Sequence, residues 1–172
     1  DLFGSKDEAF YYLAEASFRK INSDKLAFRT PQDSSEKGYI NTFNHITAQA
    51  IITSFFSEDL ADLIADLHER YNMPELTTGR FTDKQLNDSI NSPVDNYVDI
   101  LNNEIGQKLG QALKVKYGLD KSLHCNPEFL ANYLNDIQSY YMWSLEIGLD
   151  PFHSNEAVVI QFSKKLNAIL KN

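Results

Sequence analysis

The stretch from Ser92 to Gly118 carries helix-starting and helix-stopping residues at its two ends, and it limits the fold more than any other part of the chain. Ser92 is a favoured N-cap, and Pro93 follows at the first helical position, where its missing N–H has no helical acceptor. Gly118 readily adopts the left-handed conformation that closes a helix. We therefore expect one long helix from Pro93 to just before Gly118.

The same kinds of signal recur along the chain, and no segment alternates apolar and polar residues with the β-branched enrichment of a strand. Residues 22–37 read as a long loop. The other expected helices are 9–21 (capped by Ser5 with Glu8), 38–56, 58–71 (capped by Ser57), 83–90 (capping box Thr82 and Gln85), 128–147 (after Asn126 and Pro127, ended by Gly148) and 155–170. The prediction is an all-α fold, a compact multi-helix bundle of six or seven helices in a single domain spanning 1–172.

Composition narrows the class of protein. A chain of 172 residues with 42% hydrophobic residues can bury roughly two-thirds of its unfolded surface in one domain. The net charge is −8 and no basic cluster interrupts it, so we expect no nucleic-acid partner, because nonspecific binding to phosphates needs a basic patch. The single cysteine, Cys125, excludes an internal disulfide or a cysteine zinc cluster, and we expect it to be a small buried hydrophobe. We expect no transmembrane segment.

The long helix that follows Ser92 has three faces rather than the usual two. One is an apolar arc that we expect in the core, and another carries long polar side chains that we expect in solvent. The third is a stripe of short acids, amides and glycines, which lets a ligand or a neighbouring backbone come close. The apolar arc is formed by Val94, Val98, Leu101, Ile105, Leu109 and Ala112. The solvent-facing side carries Glu104, Gln107, Lys108, Gln111 and Lys114. The stripe of short residues consists of Asp95, Asp99, Asn102, Asn103, Gly106 and Gly110.

Two histidines lie on the preceding helices. His45 shares a helical face with Asn41 and apolar residues, so we expect its imidazole to point inward, as a metal ligand or as a structural hydrogen-bonding group. In the helix 58–71, the expected core stripe has His68 at its margin and places Glu69 on an acidic outer face. That stripe is Leu60, Ile64, Leu67 and Tyr71, and the outer face also carries Asp62 and Asp66.

Segments 41–45 (NTFNH), 65–69 (ADLHE) and 99–106 (DILNNEIG) resemble, in order, the pattern N-x-F-R-H, A-D-x-H-E and D-L-H-N-N-x-x-G of an uncharacterised bacterial all-helical domain family. Asn44 stands where that pattern has arginine, and Leu101 stands where it has histidine. The absence of the arginine side chain at position 44 and of the histidine side chain at position 101 implies a changed substrate, or a domain that has kept its packing and lost its activity.

The resemblance implies a secreted protein, a lipoprotein of the cell envelope or a toxin-like protein, of unassigned activity. It highlights Asn41, His45, Asp66, His68, Glu69, Asp99, Asn102, Asn103 and Gly106. Helical periodicity places Glu69 on the solvent-facing side of its helix, whereas the family pattern includes Glu69 among the site residues. We favour the pattern, because a helix in a bundle can be contacted on two sides.

Two functions compete. The first is a metal-assisted hydrolase acting on a small molecule or an envelope-derived substrate, since imidazole with carboxylate suits zinc or a similar divalent metal. Its metal ligands would be His45, His68 and Asp99, with Glu69 or Asp95 as general base, Asn102 and Asn103 orienting substrate or water, and Asn41 binding substrate. The second is a noncatalytic binding or scaffold domain in which these groups form a structural hydrogen-bond network.

Overall fold

The computed structural model describes residues 8–34, 37–88, 92–120 and 124–171, and within them the predicted all-α fold class is confirmed. The α-helices are α1 (Glu8–Arg19), α2 (Tyr39–Phe55), α3 (Glu58–Asn72), α4 (Asp83–Leu86), α5 (Pro93–Tyr117), α6 (Pro127–Leu145) and α7 (Ala157–Leu170). Short 3-10 helices cover Lys25–Ala27, Pro31–Ser34 and Pro74–Thr77. Two of them lie in the predicted loop 22–37, while Ser5 and the predicted helix end at 89–90 fall outside the described residues.

Side chains at the N-cap positions start the helices where the sequence predicts. Ser57 Oγ accepts the Leu60 N–H at 3.1 Å, and Ser92 Oγ accepts the Val94 N–H at 3.1 Å. The capping box of Thr82 with Gln85 and the cap from Asn126 are formed too. Each of these oxygens satisfies a backbone donor that the first helical turn leaves without a partner.

The C-terminal end of α6 differs from the prediction. Glu146, with φ of 55°, is the left-handed residue that ends the helix, two residues before the glycine expected in that role. Gly148 has a different use: a Cβ there would collide with the Asn22 side chain, and the Gly148 carbonyl accepts the Asn22 N–H at 3.0 Å. Gly148 therefore lies at a close chain crossing rather than at the helix end, and a Cβ there would displace the Asn22 side chain.

The described residues group into two compact units, and the division falls inside α2. The first unit is Asp1–Thr47 with Leu119–Asn172, where α7 packs against α1 and α6. Tyr141 is fully buried there; its hydroxyl lies 2.7 Å from Thr47 Oγ1 and donates to the Phe43 carbonyl at 3.1 Å. Burial raises the pKa of Tyr141 above its ordinary value, so the hydroxyl stays protonated and serves as a donor.

The second unit is Ala48–Gly118. In it α3 packs against α5 and against the Pro74–Thr77 turn, and the second half of α2 contributes Ala50, Ile51 and Ile52 to the apolar core. Its buried apolar side chains are Ala50, Ile51, Ile52, Ala61, Ala65, Met73 and Leu113. No helix in the described part of the chain combines the length and the apolar character needed to cross a membrane.

Candidate functional site

Small residues set the distance between α2 and α5 within the second unit. Gly110 of α5 is buried, and a Cβ at this position would come within 2.6 Å of the Ala50 carbonyl oxygen and 2.8 Å of Thr53 Cβ. Ser54 Oγ donates to the Gly110 carbonyl at 2.9 Å. Close packing, one of the two roles considered for the polar stripe, is therefore present at Gly110.

The buried face of α3 is not the one that periodicity predicts. Leu67 is 63% exposed and Tyr71 is 87% exposed, whereas Glu69 is only 3% exposed. His68, expected at the margin of the core, is exposed. The helix presents Ala61 and Ala65 to its neighbours, because a closely packed helix pair accommodates short side chains at the contact better than large ones. The exposed position that periodicity predicts for Glu69 is therefore wrong, because the residue is buried.

The buried face of α5 also differs from the one that periodicity predicts. The predicted core arc is largely in solvent, with Val94 69% and Leu101 39% exposed. The polar stripe is buried instead, Asn102 to 7% exposure and Asn103 to 5%. Gln107, assigned to the solvated face, is also buried. It stands one helical turn after Asn103, and this spacing is the signal that could have placed it on the same stripe.

Hydrogen bonds satisfy part of this buried polar layer. Asn103 Nδ2 donates to Glu69 Oε1 at 3.5 Å, a long contact, and Gln107 Nε2 donates to Gln49 Oε1 at 3.2 Å. Asn102 Nδ2 has no hydrogen-bond partner among the described residues although it is buried. A buried amide donor without a partner costs roughly 1 to 3 kcal/mol.

Two carboxylates meet at the contact between α3 and α5. Glu69 and Asp99 each offer a carboxylate oxygen, and these oxygens lie within 4.8 Å of each other. Glu69 is buried and Asp99 is half buried. At an effective dielectric constant of about 20, two full negative charges at that separation repel by roughly 3 kcal/mol. A divalent cation, a proton or a basic side chain offsets such repulsion.

Glu69, but not Asp99, lines a cavity of about 220 Å³. The buried side chains of Glu69, Asn103 and Gln107 form part of its wall. Further polar lining comes from Asp62, Asp66 and Arg70 of α3 and from Glu104 of α5. Ala65, Leu76 and Ile100 supply apolar wall. The cavity is thus lined in part by residues with a buried carboxylate and buried amides. The sequence reasoning missed Arg70, Gln107 and Glu104 as part of a site.

The structure brings together three residues of the predicted site: Glu69, Asp99 and Asn103. Asp95 is half buried one turn before Asp99 on α5, and Asn102 is buried on the same helix. Asn41 and His45 are half buried on α2, in the part that belongs to the first unit. The prediction that His45 is a metal ligand stays a prediction, as does the role of Asn41 in substrate binding.

Comparison with models of protein families, with curated proteins and with solved structures finds no match for this chain. The resemblance to the bacterial helical family therefore stays a prediction.

Proposed function

We propose that this helical protein binds a divalent metal ion at the contact between α3 and α5, through the carboxylates of Glu69 and Asp99. The observation that carries the proposal is the approach of these oxygens to within 4.8 Å in a place where Glu69 is buried. A divalent cation converts the repulsion between them into attraction. Asn103, whose amide donates to Glu69, would hold that carboxylate in its orientation, as groups behind metal ligands do.

We propose further that the metal centre is hydrolytic. A metal ion supplies an activated water at neutral pH when one coordination position is open, and the adjacent cavity leaves room for water and a small substrate. With Glu69 as a ligand, Asp95 is the remaining choice for the general base. Asn102, whose buried amide has an unused donor, would orient the substrate or the water. A small molecule or an envelope-derived compound remains the proposed substrate, and a secreted or lipoprotein location remains a proposal drawn from the resemblance.

The proposed ligand set contains neither of the two predicted histidines. His45 is half buried in the first unit, and its role as an imidazole ligand, which would favour zinc or a similar transition metal over magnesium or calcium, stays a prediction from the sequence. His68 is exposed, and we leave it out of the proposed ligand set. The variant His45→Ala tests this part separately from the carboxylates.

The test is a metal titration by calorimetry with Zn²⁺ and Mn²⁺, together with elemental analysis of the purified protein. We expect one tight site, and a loss of affinity of at least about tenfold in Glu69→Gln and in Asp99→Asn, since each variant removes a ligand. Asp59→Asn is the matched control, because it removes an exposed carboxylate from the same helix α3. Absence of stoichiometric binding, or unchanged affinity in a folded Glu69→Gln, overturns the proposal.

The second candidate is the noncatalytic binding or scaffold domain. The hydrogen bonds from Asn103 to Glu69 and from Gln107 to Gln49 favour it, since a buried polar network can specify packing without binding anything. On this hypothesis Asn103→Ala lowers the free energy of unfolding by about 1 to 3 kcal/mol, and divalent cations leave the melting temperature unchanged. The effect of divalent cations on the melting temperature therefore distinguishes the two candidate functions.

A further inference from the structure

The cavity beside Glu69 has a wall of unbalanced charge. Four carboxylates line it, those of Asp62, Asp66, Glu69 and Glu104, and Arg70 is the only cationic side chain among its lining residues. Arg70 already pairs with Asp66, with 2.9 Å between Nη2 and Oδ2. The wall therefore attracts positive charge, because a cleft lined by one sign of charge concentrates ligands of the opposite sign.

A metal ion on Glu69 and Asp99 would not cancel this bias. Asp62 and Glu104 are exposed, come from different helices that pack together, and are not part of the proposed ligand set. Their charges stay available to a molecule that enters the cavity. Phosphate esters and carboxylic acids would meet like charge on both helices, whereas an ammonium or guanidinium group would meet two carboxylates.

Size and apolar surface restrict the ligand further. The cavity measures about 220 Å³, below the roughly 300 Å³ at which pockets for drug-sized molecules begin. Ala65, Leu76 and Ile100 give it an apolar wall that suits a short methylene chain. A molecule the size of an amino acid or a short diamine matches both properties.

We infer that this cavity binds a small organic cation, an aliphatic molecule with a terminal ammonium or guanidinium group held by Asp62 and Glu104. The inference rests on the proposed function, because it names the substrate class of the same metal site. It predicts that the compound hydrolysed there carries an amine or a guanidine and is not a phosphate ester.

The binding test uses four probes in calorimetric titrations: 1,5-diaminopentane, agmatine, the neutral analogue 1,5-pentanediol and the anion phenyl phosphate. We expect both cations to bind, pentanediol to bind at least about tenfold more weakly and phenyl phosphate not to bind, with affinity for the cations falling as salt is added. Equal binding of the diol and the diamine would overturn the inference. So would stronger binding of the phosphate.

Variants locate the binding site. Asp62→Asn and Glu104→Gln alter exposed side chains, so both are expected to fold, and each is expected to weaken diaminopentane binding by about three- to tenfold. Asp59→Asn is again the matched control, since this exposed carboxylate of α3 does not line the cavity. An equal loss in the control would show general attraction to an acidic surface and would overturn the assignment to this cavity.

Two arms of the experiment separate this inference from the proposed function. Amine titrations in the presence of a chelator report on the cavity alone, and metal titrations without amine report on Glu69 and Asp99. Asp62→Asn and Glu104→Gln are expected to reduce amine affinity while leaving metal affinity within about twofold. Metal binding without any amine binding overturns this inference only, and amine binding without metal binding overturns the metal proposal only.

Discussion

At the scale of single residues, Gly110 shows how one missing side chain determines a contact. Alanine is the better helix former by about 1 kcal/mol, yet its Cβ would approach the Ala50 oxygen to 2.6 Å. Because that neighbour is backbone, it cannot rotate away. Gly110 is thus retained for packing against its neighbour and not for chain flexibility.

We predict that Gly110→Ala lowers the free energy of unfolding by about 1 to 3 kcal/mol, because overpacking of the contact outweighs the gain in helix propensity. Urea unfolding followed by circular dichroism measures the effect. Lys108→Ala, on the exposed face of the same helix, is the control and should stay within about 0.5 kcal/mol of the wild type. A variant as stable as the wild type would show that the two helices do not pack so closely.

Cys125 allows a prediction about reactivity and pH. The thiol is fully buried, and burial raises the pKa of Cys125 from 9.0 to about 12. The thiolate is the reactive form, so we expect Ellman's reagent at about pH 8 to label the folded protein only at the rate of unfolding, and denatured protein at once. Rapid labelling without denaturant would contradict the buried position.

The same thiol has a defined effect on stability. The folded state holds the proton more tightly than the unfolded chain, so this contribution is complete below about pH 9 and is lost as the pH rises toward about 12. The stability advantage of the wild type over Cys125→Ala should therefore shrink by up to about 2 kcal/mol between about pH 8 and about pH 10.5. Urea unfolding of both proteins at the two pH values measures it, and a constant difference would contradict the prediction.

At the scale of elements, α3 shows which force decides the buried face of a helix. Its large apolar side chains, Leu63, Leu67 and Tyr71, are exposed, and its alanines and Glu69 are buried. Close approach to α5 yields many small contacts along the backbone, and large side chains at the contact would prevent that approach. The hydrophobicity pattern of one helix therefore does not indicate which of its faces can approach a neighbouring helix closely.

The α3 orientation gives a prediction opposite to the one from periodicity. Leu67→Gln should change the free energy of unfolding by less than about 0.5 kcal/mol, because the side chain is 63% exposed. Ala61→Leu should lower it by about 1 to 3 kcal/mol, because Ala61 is fully buried and a larger side chain overpacks a buried helix contact. Chemical denaturation of both variants tests the pair, and a reversed order would restore the face that periodicity favours.

At the scale of the whole molecule, the net charge of −8 and the acidic cavity both favour cations over anions. We predict that zinc or manganese at about 100 times its dissociation constant adds about 2.7 kcal/mol to stability and raises the melting temperature by about 5 to 10 °C. Differential scanning calorimetry measures the shift. Glu69→Gln should show none, and sodium chloride of equal ionic strength controls for screening.

More of the fold than of the candidate site could be predicted from the sequence. Caps at Ser57, Ser92 and Asn126 were readable because capping is local, between a side chain and a backbone donor two or three residues away. Asn103 and Asp99 were predicted to lie at one site because they share a stripe on one helix. Gln107 was assigned to the wrong face, and Arg70 and Glu104 were not recognised, because charged and amide residues at helix surfaces look alike until a neighbouring helix encloses a cavity between them.

The sequence by itself determined the all-α class, the starts of most helices and the left-handed stop at Gly118, since these depend on interactions within one or two turns. Tertiary structure alone decided that Glu69 is buried while Tyr71 is in solvent, that the Glu69 and Asp99 carboxylates meet, and that Glu69 lines a cavity. The physical reason is that burial is a property of a pair of packed helices, set by how closely their backbones approach, and no single helix contains that information.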